Sequence, residues 1–410
     1  MCAIAPTEQT RRIVHLDVIR GFALGGILLV NFEWFSRSVL GMWMPPEGDS
    51  HGLDRGVDLL IAWLATDKFY PLFAMLFGAG FALMAHRARL AERSFFNVFF
   101  RRTLVLALFG ILHIALVWSG DILLMYAVAA LLMMLLFGRT PVPRLWKWGL
   151  ALISIPVVLI WMFAGLYALA SLDPQAYQEM REGIERERIV LEASIERGEA
   201  IHAEGSFLQN VEQRLRDTWS IGVFGLFMWL SMVLGFFMIG RWLILSGVLS
   251  EIHDHVGWLR RWRLIGLGLG LPIAAVATLM MFATDWMTPS PRLAAGLTLL
   301  TAASVVLPLG YLATVALAHQ RLRFLAPAGR MALTHYLLQS IIWTFVFYGY
   351  GLGMWQQVPR VWHPVLAMAF FALQVAASHW WLKRFRFGPA EWLWRCLTYW
   401  QWQPFRRSPA

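Results

Sequence analysis

Along this chain, apolar runs of about twenty residues alternate with short polar connections. Runs long enough to cross a bilayer as helices, roughly 20 residues each, are predicted at about 17–36, 57–86, 103–118, 121–138, 148–170, 219–240, 264–283, 293–318, 331–353 and 364–382. The second run is longer than one crossing needs and carries "TDKFYP", Thr66 to Pro71, within it. Either a surface helix precedes the span there, or one tilted helix kinks near the proline. The connections also alternate. Arg11 and Arg12 precede the first run, and "HRARLAERSFFNVFFRR", "GRTPVPRLWK", "GWLRRWR", "HQRLRFLAPAGR" and "KRFRF" follow every second run after it. Because Lys and Arg concentrate in cytoplasmic loops, both termini are predicted to be cytoplasmic. The long connection 171–217 holds 11 acidic and 6 basic residues, a net of −5, and is predicted to be a mixed-charge helical insertion outside the cytoplasm. The fold class that follows is all-α: a polytopic transmembrane helix bundle of about ten spans, one domain over 1–410. Its tail, 384–410, mixes Trp, Tyr and Arg as a segment at the membrane interface does.

Composition sharpens this picture. Hydrophobic residues are 59% of the 410 and charged residues 15%, against about 25% charged in soluble domains. A net charge of +10 suggests an anionic partner, but the arginines sit at the ends of apolar runs, where topology accounts for them. Membrane lipids are therefore expected as partners, and nucleic acid is not. Cys2 and Cys396, near opposite ends of the chain, make no disulfide framework. "TEQTRRIVHLDVIRG" has no convincing small-residue cleavage site, so the first run is expected to stay in the protein. His253 and His255 in "EIHDHV" are two apart, the wrong spacing for one helical face, and read better as solvated linker than as a metal site. No metal is expected.

Ionisable residues inside apolar runs are the candidate chemistry, since such groups are expensive in lipid. In "GILHIALVWSGDILLMY", His113 and Asp121 flank a Ser119–Gly120 turn in the outer half of the predicted hairpin. A neutral imidazole there can act as general base, with the carboxylate orienting it. The plainer reading is a histidine bonded to a neighbouring helix and an aspartate capping the next one. Lys68 could stabilise an oxyanion, or could snorkel to the interface. On the cytoplasmic side, Asp17 and Arg20, then Arg330, Thr334 and His335, then Glu391 and Arg395 gather at the ends of runs. Guanidiniums collected at one face could hold the phosphates of a donor. Alternatively, the spacings make ordinary helix pairs.

Taken together, "LDVIRGFALGGILLVN", "KFYPLFAMLFGAG", "FRRTLVLALFGILHIALVWSGDILLMYAV", "GRMALTHYLLQS", "FYGYGLG" and "GPAEWLWRCLTY" resemble the YeiB family of bacterial inner-membrane proteins. The likeness runs in order from about residue 11 to 405; the family usually has Asn where this chain has His335. YeiB-like proteins are distantly similar to membrane acyltransferases such as heparan-α-glucosaminide N-acetyltransferase, which share an "LD..RG" first helix and an Asp/Lys-x-x-Pro-type second helix. That resemblance implies a multi-pass inner-membrane enzyme moving an acyl group from cytoplasmic acyl-CoA, acetyl-CoA first among donors, to a hydroxyl or amine acceptor such as a glycan on the far side. Donor-binding residues would be Asp17, Arg20, Arg330, Glu391 and Arg395. Catalysis would fall to His113, Asp121 and Lys68, with His51 as the alternative base. The competing expectation is a proton-coupled transporter of a metabolite or lipid-linked intermediate; against it, no inverted repeat is visible. A scaffold leaves the buried charges unexplained. Small-residue faces at Gly21–Gly25 and Gly78–Gly80 allow close packing within the chain or in a homo-oligomer.

Overall fold

In the computed structural model, which describes residues 13–44, 51–90, 92 and 94–407, the apolar runs fold as helices. Cys2, Arg11 and Arg12 lie outside the described residues. The first run is α1 (Val14–Trp34), with Asp17 in its first turn. The long second run is broken. It forms α2 (Gly52–Leu64) and α3 (Phe69–Leu90), separated by a turn in which Asp67 has φ +60, a conformation no helix continues through. Pro71 sits in the first turn of α3, where a missing N–H costs nothing. The chain continues through α4 (Phe95–Leu116), α5 (Leu123–Phe137) and α6 (Val142–Ala170). The polar insertion is a helical hairpin, α7 (Pro174–Glu204) and α8 (Phe207–Ser220). Asp173 caps the first of these helices, and a Ser206–Gln209 capping box starts the second. Then come α9 (Gly222–Leu245), α10 (Val256–Gly268), α11 (Gly270–Phe282), α12 (Pro291–Leu317), α13 (Ala326–Arg330), α14 (Ala332–Phe347), α15 (His363–Arg384) and α16 (Pro389–Tyr399).

The protein is an all-α helical bundle with a multi-pass membrane character. Among the described residues, eight helical segments are long and apolar enough to cross a membrane, with α2–α3 and α10–α11 each counted as one. The two remaining predicted runs form shorter apolar helices, 15 residues in α5 and 16 in α14.

Backbone contact at glycines sets the packing. A side chain at Gly78 would collide with the Phe237 carbonyl, and one at Gly240 with the Met75 carbonyl, so α3 and α9 touch backbone to backbone. Gly329 likewise abuts the Asp17 carbonyl, pinning α13 to α1. The small-residue faces divide accordingly. Gly21, Gly25 and Gly78 are packed within the chain, whereas Gly80 faces open space.

The two ends of the bundle differ. One, here the basic end, carries the start of α1, the end of α3 and α16. The other, the cap end, carries the α7–α8 hairpin. That hairpin docks through buried polar side chains. Arg214 is 0% exposed and donates to the Ala115 carbonyl (3.3 Å) and the Tyr350 hydroxyl (3.0 Å). His202 Nδ1 lies 2.7 Å from Asn210 Oδ1, and its ring stacks on Tyr348. At its far side α7 is tied to the α11–α12 loop by Arg188 and Asp285, 2.7 Å apart.

A candidate site where a basic cavity meets a buried His–Asp pair

His113 lies one turn from the end of α4, and the next six residues link it to α5. The two-residue Ser119–Gly120 turn expected from the sequence is longer in the fold because Asp121 fixes where α5 begins. Its Oδ1 accepts the Leu124 N–H at 2.9 Å. Oδ2 is then left 2.8 Å from His113 Nδ1, close but off the line of an ideal hydrogen bond. At the other end of the link, the N–H groups of Val117 and Trp118 both donate to the His113 carbonyl at 2.9 Å. Gly110 makes this geometry attainable: any side chain there would collide with the Leu124 amide that Asp121 caps.

The pair is enclosed, with His113 2% and Asp121 7% exposed. A carboxylate facing Nδ1 favours the tautomer with its proton on that nitrogen, which makes Nε2 the acceptor. Nε2 has no hydrogen-bond partner among the described residues. The ring of Tyr336 packs beside the imidazole with centroids 5.3 Å apart, and the Tyr336 hydroxyl accepts the Ile122 N–H at 3.2 Å. Trp118 stands edge-on to the imidazole and donates its indole N–H to the Trp34 carbonyl.

A cavity of about 290 Å³ enters from the basic end. Its walls include Arg20, Arg87, Arg102, Arg330, Arg386 and Arg395, with Asp17 and Glu391 as the carboxylates. Farther in, the lining turns apolar through Leu24, Ile27 and Leu106. It ends at Ile122, Leu123, Tyr126 and Tyr336. Ile122 follows Asp121 in the chain, and Tyr336 touches His113. The inner end of the cavity is therefore the back of the His–Asp pair.

Both wall carboxylates serve the fold. Asp17 accepts from Arg20 at 2.9 Å. Glu391 Oε1 accepts the Leu333 and Thr334 N–H groups, and Oε2 accepts the Thr334 hydroxyl at 2.6 Å. Glu391 thereby caps α14 from α16. Arg395 stacks over Phe387, and Arg102 lies 3.5 Å over the Trp394 ring, whose N–H donates to the Arg102 carbonyl.

Other residues singled out in the sequence lie elsewhere. Lys68 is 0% exposed, and its ammonium donates to the Ala62 carbonyl at 2.9 Å, closing the end of α2. Among the described residues no hydrogen bond or ion pair joins it to His113 or Asp121. His51 is exposed just before α2, with no capping bond. His335 bonds Ser378 across to α15, in a buried polar seam continued by Gln339 and Gln374. In the sequence, Arg87, Arg102 and Arg386 read only as topology signals, and nothing marks Tyr336 as part of the site. The aromatic beside His335 in "THYLLQS" was visible, but nothing in its type or spacing tied it to His113.

A family described as "Protein of unknown function (DUF418)" matches residues 243–401. Over 436 aligned residues the chain is 31% identical to "Uncharacterized protein YxaH" of Bacillus subtilis (strain 168), covering 100% of this chain and 99% of that one. It is 28% identical to "Uncharacterized protein YeiB" of Escherichia coli (strain K12), covering 94% and 96%. No solved structure matches. With likeness to such relatives running nearly end to end, the chain belongs to the YeiB-like family.

Proposed function

We propose that this protein transfers an acyl group from cytoplasmic acyl-CoA, acetyl-CoA first among donors, to a hydroxyl or amine acceptor at the far face of the bacterial inner membrane. One observation carries the reading: a single cavity runs from six arginines to the wall behind His113 and Asp121. Arginines at one end of a narrowing cavity suit a ligand with phosphates at one end and a slender arm ending in a small apolar group at the other. The basic end is then cytoplasmic, and the α7–α8 cap lies outside.

In the reaction, His113 Nε2 takes the proton of the acceptor O–H or N–H while the acceptor oxygen or nitrogen attacks the thioester carbonyl carbon. The new C–O or C–N bond forms, the C–S bond breaks, and the proton passes from the imidazolium to the leaving thiolate, releasing CoA thiol. Asp121 orients the ring and stabilises its cation. A positioned base contributes about 10²–10⁴-fold, which is adequate for an already activated thioester. Lys68 is bound up in closing α2, so its part is to hold the α2–α3 break. Arg20, Arg330 and Arg395, joined by Arg102, face the phosphates, while Asp17 and Glu391 hold Arg20 and α14 in place.

The seam of His335, Ser378, Gln339 and Gln374 is the observation that favours the second reading, proton-coupled transport. Wild type and His113→Ala, reconstituted with bacterial membrane extract and labelled acetyl-CoA, separate the two. Label on a glycan or lipid that is lost in His113→Ala, with donor binding retained, supports transfer. No labelled product, together with proton-driven uptake that depends on His113, overturns it.

A further inference from the structure

Tyr336 is the aromatic ring that belongs to both halves of this site. One part of it closes the inner end of the cavity, and another packs against the His113 imidazole. It is 4% exposed, and its hydroxyl is anchored on the Ile122 N–H. The second tyrosine at that end, Tyr126, is 1% exposed and donates its hydroxyl proton to the Tyr70 carbonyl at 2.9 Å. Both rings are thus held at the backbone of a neighbouring segment as well as by packing. Displacing either ring costs a hydrogen bond as well as close packing. Between the arginines and the tyrosines the lining includes the apolar Leu24, Ile27 and Leu106.

We propose that Tyr336 determines donor specificity as the ring that ends the donor cavity beside the His113–Asp121 pair, restricting the donor to short-chain acyl thioesters. The inference rests on the acyl-CoA reading above. A thioester lying with its phosphates among the arginines points its acyl group at Tyr336. A chain of two carbons ends before the ring, close to His113. A chain several methylenes longer must displace the ring or withdraw the thioester carbonyl toward the arginines. A closed apolar pocket discriminates by about tenfold or more per misfitting methylene.

The experiment measures binding of CoA, acetyl-CoA and octanoyl-CoA to the full-length protein in nanodiscs, for wild type, Tyr336→Phe and Tyr336→Ala. Wild type is expected to favour acetyl-CoA over octanoyl-CoA by at least about tenfold. Tyr336→Phe keeps the ring and should keep that preference. Tyr336→Ala removes the ring that ends the cavity and should reduce the preference to about threefold or reverse it. If Tyr336→Ala does not fold, Tyr336→Leu keeps most of the buried volume and should shift the preference in the same direction. A wild type that binds octanoyl-CoA as well as acetyl-CoA, or a folded Ala or Leu variant with unaltered preference, overturns this role of Tyr336 and leaves the donor reading standing. A wild type that binds neither CoA nor either thioester removes the donor reading and this inference with it.

Discussion

Asp121 uses its two carboxylate oxygens differently, one to cap α5 and one to face His113. Asp121→Asn keeps a cap acceptor but places a neutral amide before Nδ1, so the imidazolium of the proposed reaction would lose its counter-charge. The expected result in the labelled-acetyl assay is a fall in turnover of about 10²-fold or more, with acetyl-CoA affinity within about twofold of wild type. Gly110 offers a second test away from any reacting atom. Gly110→Ala drives a methyl group into the Leu124 amide, and overpacking of this kind costs about 1–3 kcal/mol. A lower melting temperature in detergent, with a parallel loss of turnover, is expected; an unchanged melt would show that α4 and α5 can separate freely. At this scale the sequence disclosed residue types better than partners. An imidazole and a carboxylate in apolar runs stood out by their cost in lipid. That Lys68 would turn back to Ala62, and that His335 would bond Ser378, depended on helix rotations that no spacing within one segment encodes.

For the elements, periodicity and length were the legible quantities. Each predicted apolar run is helical, and the charged insertion is helical as expected, though it folds as a hairpin of two helices rather than one. The break between α2 and α3 was half legible: "TDKFYP" marked the place, but the choice between kink and separation was made by Asp67 taking a left-handed backbone. The docking of α7–α8 was illegible, since its buried Arg214 and His202 look like ordinary members of a solvated charged stretch. At the other edge of that hairpin, the Arg188–Asp285 tie has a pH signature. Partial burial pushes the Asp285 carboxyl up, but hydrogen bonds from Thr288, the Met287 N–H and Arg188 outweigh it and hold the group below its ordinary 3.8. A carboxyl whose pKa is lowered by folding stabilises above its unfolded value and loses that contribution as pH falls through the folded one. Thermal melts from pH 6 down to pH 3 should therefore fall more steeply for wild type than for Asp285→Asn. The difference should be small, because the pair is part exposed and screened. Parallel curves would mean the tie adds nothing.

Across the whole molecule, the meeting of distant segments is what one sequence conceals. Arg20, Arg102, Arg330 and Arg395 come from four helices, and they share a wall because Gly329 pins α13 to α1 and Glu391 pins α16 to α14. Single alanine substitutions at Arg20, Arg102, Arg330 and Arg395 should each weaken acetyl-CoA binding, and raising salt should weaken wild type more than any variant. Salt-independent affinity would assign these arginines to architecture alone. The shortness of α5 and α14 has a further consequence. At 1.5 Å per residue they reach about 22 and 24 Å, less than the roughly 30 Å of a bilayer's hydrocarbon layer. These two helices flank His113, with Asp121 capping α5 and Tyr336 on α14; where they face lipid, either the bilayer beside them thins or the flanking segments make up the length. On the acyl-transfer reading, a thinned bilayer there would shorten the barrier an acyl group has to cross and make lipid chain length a control on rate. Reconstitution in a series from thin to thick bilayers should show turnover falling as hydrophobic mismatch grows, while donor affinity at the distant arginines holds constant.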